Sequence, residues 1–329
     1  MRVKRKSIIH FTSFLMILLG THFLIQSCQS VKGLGNIVSE DESAALNVMS
    51  FNIRYGTADD GNNSWKYRDH TVVQVLEDYD PDIVGLQEAL HFQIEQIMDS
   101  LPEYAMVGVG RDDGETEGEF SAILYKKDAF EVLSHNTFWF SDTPQVIAST
   151  DWGNSITRIC TWGHFQYRDN GENFYVYNAH LDHRSQNSRE MSAVLLSEKI
   201  QDRETDDPVI VTGDLNAGER NPAILYLKGK ADLVKDQTYQ NPFPMVDSYR
   251  VKHPDATRVG TFNGFEGETG GEKIDYVFIQ PTLEVLKADI IDDSYQGRYP
   301  SDHFPVYAVV KIAQNEAEGP DKNRSFRKY

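Results

Sequence analysis

The chain has 329 residues, 50 of them acidic and 32 basic, for a net charge of −18. That excess of acid works against a long non-specific grip on nucleic acid, which needs basic stripes to neutralise successive phosphates. Two cysteines are present, Cys28 and Cys160, and no intrachain disulfide is available once Cys28 is modified as expected below.

In chain order the first feature is a targeting segment. Arg2, Lys4, Arg5 and Lys6 form a basic stretch, and residues 8–25 are mostly apolar. The pattern is that of a secretory signal over residues 1–27. An uncleaved membrane anchor is the alternative, against which the run is short and interrupted by Thr12, Ser13, Gly20, Thr21 and His22. Leu24-Ile25-Gln26-Ser27-Cys28 resembles a bacterial lipobox, which implies lipidation at Cys28, removal of four positive charges and a mature net charge of −22. Gln29, rather than Asp, follows the cysteine, so nothing retains the protein at the inner membrane. The expected location is an envelope membrane, the outer one first. Residues 28–45 read as a flexible tether, and 313–329 as a polar, disordered tail.

Between them lie residues 46–312, enough for one large domain. Periodicity predicts a strand at 46–52, a helix over 64–79, a strand at 82–87 and a helix carrying Leu90, Ile94, Ile97, Met98 and Leu101. Strands follow at 105–109, 120–125 and 130–136. Strands 159–167 and 174–180 are joined through Asp169-Asn170-Gly171, a hairpin turn. Cys160 falls within this apolar run as a small core residue. A helix spans 188–200, with Met191, Val194, Leu195 and Ile200 on its apolar side, and strands cover 208–213, 276–279 and 306–312. A strand, a helix and a strand ending in a carboxylate occur twice, at Val48…Glu88 and Val176…Asp214. A duplicated unit implies two sheets packed together and flanked by helices, with polar groups at one rim.

Acids, amides and histidines concentrate at the predicted strand ends: Asn52, Glu88, Asn178-Ala179-His180-Leu181-Asp182, Asp214-Leu215-Asn216, Asp275 and Asp302-His303. Singly, each is an ordinary turn or cap residue. As a set, hard oxygen donors with few sulfurs suit Mg²⁺ or Ca²⁺ better than zinc. An ion held there would polarise a phosphoryl oxygen, with histidine and amide donors placed where negative charge develops.

In this order the segments resemble the endonuclease/exonuclease/phosphatase superfamily, over nearly all of residues 46–312. Its members include pancreatic deoxyribonuclease, sphingomyelinases, inositol polyphosphate 5-phosphatases and poly(A) deadenylases. The resemblance implies a four-layered αββα sandwich, with two mixed β-sheets face to face and helices outside. It implies Glu88 as the central metal ligand, with Asn52 and Asp302 close by, directly or through water. Mg²⁺ is the expected ion, with Mn²⁺ or Ca²⁺ as alternatives. Asp214 would orient or deprotonate water, and Asn216 would bond a phosphate oxygen. His303, held by Asp275, would stabilise the phosphoryl group or act as the base; the resemblance leaves the base open between Asp214 and His303. His180 would donate to a non-bridging oxygen, and Arg158 would bind phosphate. Tyr125, Trp152, Phe262 and Asn263 are pocket candidates, while Arg54 and Arg68 read as structural.

The acidic or glycine-rich segments 112–119 and 266–272 favour a small phosphoester or lipid head group over nucleic acid. A nuclease is the second reading and a non-catalytic binding lipoprotein on the same fold the third. A two-carboxylate glycosidase would survive chelation and would not require Asn216 and two histidines. A monomer is expected, with the membrane its partner through Cys28 and no specific protein partner.

Overall fold

The computed structural model describes residues 45–312; the signal, Cys28, the rest of the tether and the tail lie outside the described residues. The chain begins with β1 (Ala45–Asn52), α1 (Asp69–Tyr79), β2 (Ile83–Gln87) and α2 (His91–Ser100). It continues through β3 (Tyr104–Val107), β4 (Ile123–Lys126), β5 (Phe130–Trp139), β6 (Ile159–Tyr167) and β7 (Asn173–His180). Next come α3 (Gln186–Gln201), β8 (Val209–Asp214), α4 (Pro222–Leu227), a small ribbon of β9 (Leu233–Val234) and β10 (Thr238–Tyr239), and β11 (Val246–Asp247). The last elements are α5 (Ser248–Lys252), β12 (Asp275–Ile279), β13 (Glu284–Ile290) and β14 (Val306–Lys311). None of the described helices is long and apolar enough to cross a membrane.

Two mixed six-stranded sheets result, in the orders β13-β14-β1-β2-β4-β3 and β11-β12-β8-β7-β6-β5. Their centres are the parallel pairs β1/β2 and β7/β8, each connected through a helix, as parallel neighbours require. Every other pairing within these two sheets is antiparallel. Reversing one order superposes β1-α1-β2 on β7-α3-β8, the duplication read from the sequence.

Strand alternation explains the layers. On β1, Leu46 and Val48 join Val176, Ile210, Val277 and Val306 in the core between the sheets. Met49 and Phe51 point the other way, onto Val72, Leu76, Ile94 and Ile97 of α1 and α2. Across the second sheet, Tyr177, Val209 and Val211 pack on Leu196, Ile200 and Ile224 of α3 and α4. Cys160 is fully buried in that layer, and burial pushes its thiol well up.

Three elements differ from expectation. Helix α1 starts at Asp69 rather than residue 64, because Arg68 leaves the helical conformation and is buried. Its guanidinium donates to the carbonyls of Ile53, Arg54, Asn63 and Pro300. Strand β4 begins at Ile123; just before it, the Ala122 carbonyl accepts from Leu86 N and from the Asn178 side chain of the other sheet. On α3, Val194 and Ile200 are buried as expected, Met191 and Leu195 only partly, and the inward face also holds Ser188, Ser192, Ala193, Leu196 and Ser197. Small side chains let this helix lie close to the sheet, which displaces part of the expected apolar stripe.

Candidate active site

The same strand faces that form the inter-sheet core change chemistry at one end. On β1, Leu46 and Val48 give way to Ser50 and Asn52; on β7, Phe174 and Val176 give way to Asn178 and His180; on β8, Ile210 gives way to Thr212 and Asp214. A polar clip sits at the transition. Gln87 Nε2 donates to Asn178 Oδ1 at 2.7 Å and to Ser50 Oγ at 3.2 Å. Asn178 Nδ2 donates to the carbonyls of Leu86 and Ala122, both at 2.8 Å, and Ser50 Oγ accepts from Gly213 N at 2.9 Å. Gly85 makes this approach feasible, since a Cβ there would lie 2.1 Å from Thr212 Oγ1.

Above the clip, Glu88 follows β2 in a left-handed conformation, φ 60°, which turns its side chain out of the strand. Asn52 Nδ2 bridges Glu88 Oε1 at 3.1 Å and Asp214 Oδ2 at 3.0 Å. The Asn52 oxygen accepts from Arg54 N at 3.0 Å, which fixes the amide with its nitrogen toward the carboxylates. Asn52 therefore spaces Glu88 and Asp214 rather than presenting a ligand oxygen. Asp302 lies on the far side of Arg54, whose guanidinium is 3.7 Å from Asp302 and 3.9 Å from Glu88.

Register brings Asp214 of β8 directly beside Asp275 of β12. Burial first, and then Asp275, push the Asp214 carboxyl up to about 7, against the opposing pull of His303. Asp302 is likewise raised, by burial and by Glu88. His303 Nδ1 bonds Asp275 Oδ2 at 2.9 Å, leaving Nε2 3.9 Å from Asp214. Burial opposes its charge, yet Asp275 and Asp214 hold His303 well above its ordinary value and favour its charged form.

His180 is the opposite case: burial, then Arg158 and Arg111, hold it well below its ordinary value, and it is neutral. Its Nε2 accepts from Arg158 Nη1 at 3.1 Å, which leaves the ring proton on Nδ1. In this arrangement Arg158, rather than Nε2 of His180, presents the N–H groups. The other fork nitrogen of Arg158 lies 2.8 Å from His183 Nδ1, and Nε lies 3.5 Å from Asp182. Arg158 is buried and is no surface ion pair. Asn216 adopts φ 47°; its backbone N–H bonds Asp214 and its side-chain amide donates to Leu181 O at 3.0 Å.

These groups open onto one cleft of ≈ 640 Å³. Glu88, Asp214, Asn216, Asp302, His303, His180 and Arg158 line it, as does Phe262, while Asp275 stands behind His303. Asn263 does not line it; its backbone N–H donates to Asp302 O at 2.7 Å and steadies that loop. Tyr125 meets Phe165 at a tilt of 59° beside the inter-sheet core, and Trp152 packs against the α3 layer, so neither shapes the cleft. Arg68 is structural, as expected. Arg54, by contrast, lines the cleft together with Arg111, Glu119, His183 and Glu272. Glu119 and Glu272 end the acidic segments 112–119 and 266–272, which were read for substrate size but not as site residues, whereas Arg111 and His183 carried no local signal; Glu119 is held by a bidentate pair with Arg111 at 2.7 and 2.8 Å.

Metal capacity follows from the donors. Glu88, Asp214 and His303 carry ligand atoms all within 4.8 Å of one another. A protonated His303 is a poor ligand, whereas carboxylate oxygens held close despite like charge fit a hard divalent cation. The donor set fits such an ion.

A two-sheet sandwich with carboxylates, imidazoles and a guanidinium at one rim defines a class of phosphate-handling hydrolases. The chain belongs to the Endonuclease/Exonuclease/phosphatase family, whose model matches residues 49–303; members are hydrolytic phosphoesterases or nucleases. An endonuclease/exonuclease/phosphatase from Bacteroides vulgatus is 34% identical with a TM-score of 0.73, over 82% of this chain and 99% of that one. A mannosyl-6-phosphatase of Bacteroides thetaiotaomicron is 33% identical with a TM-score of 0.70, over 80% and 99% of the two chains. Uncharacterized protein L388 of Acanthamoeba polyphaga mimivirus is 25% identical across 75% of this chain and 92% of its own.

Proposed function

We propose that this protein is an Mg²⁺-dependent phosphomonoesterase acting on a small, largely uncharged alcohol. The observation that carries the reading is the lining of the cleft: cationic His303, Arg158 and Arg54 stand among the carboxylates Glu88, Asp214 and Asp302, Glu119 is paired with Arg111, and Glu272 adds an acid at the wall. One anionic head fits among these cations, and a polyanion that reaches the wall meets repulsion from Glu272. Likeness to a mannosyl-6-phosphatase supports the same substrate class.

Glu88 is the residue that would hold the ion first, with Asp214 beside it and Asp302 a further carboxylate across Arg54. When bound, the ion polarises the phosphoryl oxygen and steadies the leaving oxygen. Asp214, with its carboxyl near 7, is placed to orient water and take its proton around neutrality. His303 keeps Nδ1 on Asp275 and offers Nε2–H to a phosphoryl oxygen where charge accumulates. Arg158 provides a planar fork for the same group, and Asn52 holds the spacing between Glu88 and Asp214.

The test is phosphate release from p-nitrophenyl phosphate, mannose 6-phosphate and bis-p-nitrophenyl phosphate, with Mg²⁺ and with EDTA. Turnover of the two monoesters that requires Mg²⁺ is expected. Turnover that persists in EDTA, or confined to the diester, would overturn the reading.

We also infer export and acylation at Cys28, supported by the basic stretch, apolar run and Ser27-Cys28 junction. Mass spectrometry of the membrane fraction is expected to find acylated Cys28 at the N-terminus. An intact signal, or a Cys28→Ser protein that stays in that fraction, would rule this out.

A further inference from the structure

The cleft exceeds what a phosphoryl group fills, and the loop 261–272 supplies part of its wall without entering the chemistry above. Phe262 is 52% exposed although it stands against His303, with ring centroids 5.2 Å apart and planes at 75°. Its backbone is pinned: Phe262 and His303 form an antiparallel bridge, and Phe304 N donates to Thr261 O at 2.7 Å. An apolar ring so exposed beside a reactive histidine keeps area for a ligand to cover. Ten positions along the same loop, Glu272 lines the same cleft, and its carboxylate has no hydrogen-bond or ion-pair partner among the described residues. Gly218 leaves it room, since a Cβ there would meet the carboxylate at 2.2 Å. A Cβ added at Gly270 would meet nothing within 4 Å, and one at Gly271 only the Phe262 carbonyl at 3.9 Å, so the faces of these two glycines on which a Cβ would stand are open.

We propose that Phe262 and Glu272 form the subsite for the alcohol part of the substrate, and that this part is a pyranose ring; the proposal rests on the phosphoesterase reading. The negative face of an aromatic ring attracts the partly positive C–H face of a sugar. A carboxylate without partners accepts from two hydroxyls, and losing a charged acceptor for a substrate hydroxyl costs more than losing a neutral one. A second phosphate on the alcohol would meet the unpartnered carboxylate of Glu272. A nucleobase also stacks on an aromatic ring, so it is the competitor to be separated.

The experiment compares kcat/KM for glucose 6-phosphate, glycerol 3-phosphate and adenosine 5′-monophosphate, with Mg²⁺, in wild type, Phe262→Ala, Phe262→Tyr and Glu272→Gln. Wild type is expected to prefer the hexose ester over the glycerol ester by at least about 10-fold. Phe262→Ala and Glu272→Gln should each compress that ratio by about 5- to 10-fold, mainly through KM, and Phe262→Tyr should keep it. An unchanged ratio in both variants, or a preference for the nucleotide, overturns the subsite while hydrolysis itself stands. No hydrolysis of any ester by wild type would remove both the subsite and the reading beneath it.

Discussion

The space between the two sheets has two ends built by the same strands, and they obey different rules. At one end Val48, Val176, Ile210 and Val277 interlock with no polar atoms among their side chains. Two or four residues further along the same faces stand Asn52, His180, Asp214 and Asp275, where like charges are held together and pKa values are displaced in opposite directions. Stability is concentrated at the first end. The second holds strained groups in place because the first does not yield, and the clip of Ser50, Gln87, Asn178 and Thr212 separates them.

The contrast can be broken most sharply at Glu88. Glu88→Ala is expected to lower kcat/KM by about 10³-fold, because the carboxylate best placed for the ion is lost, while the melting temperature without metal stays level or rises. Metal should report the same division. Asp214 and Asp302 have raised folded-state pKa values, so the metal-free native state binds more protons than the unfolded chain, and its stability falls as pH rises from the ordinary carboxylate range toward about 7. Mg²⁺ should therefore raise the melting temperature more at pH 8 than at pH 5, and Glu88→Ala should abolish the gain. An equal gain at both pH values would place the ion elsewhere.

At the apolar end, Ile210→Ala should cost about 3 kcal/mol of unfolding free energy in a urea titration, with kcat per folded molecule close to wild type. A large fall in kcat would mean that the two ends are coupled through the clip. Asp275→Asn tests the site from behind: kcat is expected to fall about 10²-fold, and the alkaline limb of the pH profile should move to lower pH. The sign follows from His303, whose proton Asp275 retains; without that charge the imidazolium deprotonates earlier. An unmoved limb would give the proton to another group. The smallest effect is expected for Arg158→Lys, about 10-fold in kcat/KM, because a point charge replaces a fork anchored on His180 and His183.

Much of this was legible beforehand because the informative residues end strands. Apolar runs stopping at Glu88 and Asp214 mark both the duplicated unit and the rim, and Asp302-His303 follows the same logic ahead of β14. What escaped depends on tertiary choices. The orientation of the Asn52 amide is set by Arg54 N, and the tautomer of His180 by Arg158. Arg54 looked structural because only the fold places it between Asp60, Glu88 and Asp302. The buried face of α3 was half right: Val194 and Ile200 are buried as expected, but Met191 and Leu195 are not, since Ser188, Ser192 and Ser197 share the face with Ala193 and Leu196. Edge strand β13, with the pattern EVLKADI only partly buried, lacks the continuous apolar signal of the central strands.

The pairing of Ala45 with Lys311 has a practical reach. First and last strands of the described domain lie side by side; β1 runs from that pair toward the catalytic rim and β14 returns from the rim to it. Eight residues of β1 span about 23 Å at the usual rise per residue. Anything joined ahead of Ala45, whether an acyl tether or a resin handle, thus departs from the floor of the sandwich while the mouth opens at the roof. A tag fused directly ahead of Ala45 therefore attaches at the opposite end of β1 from the cleft.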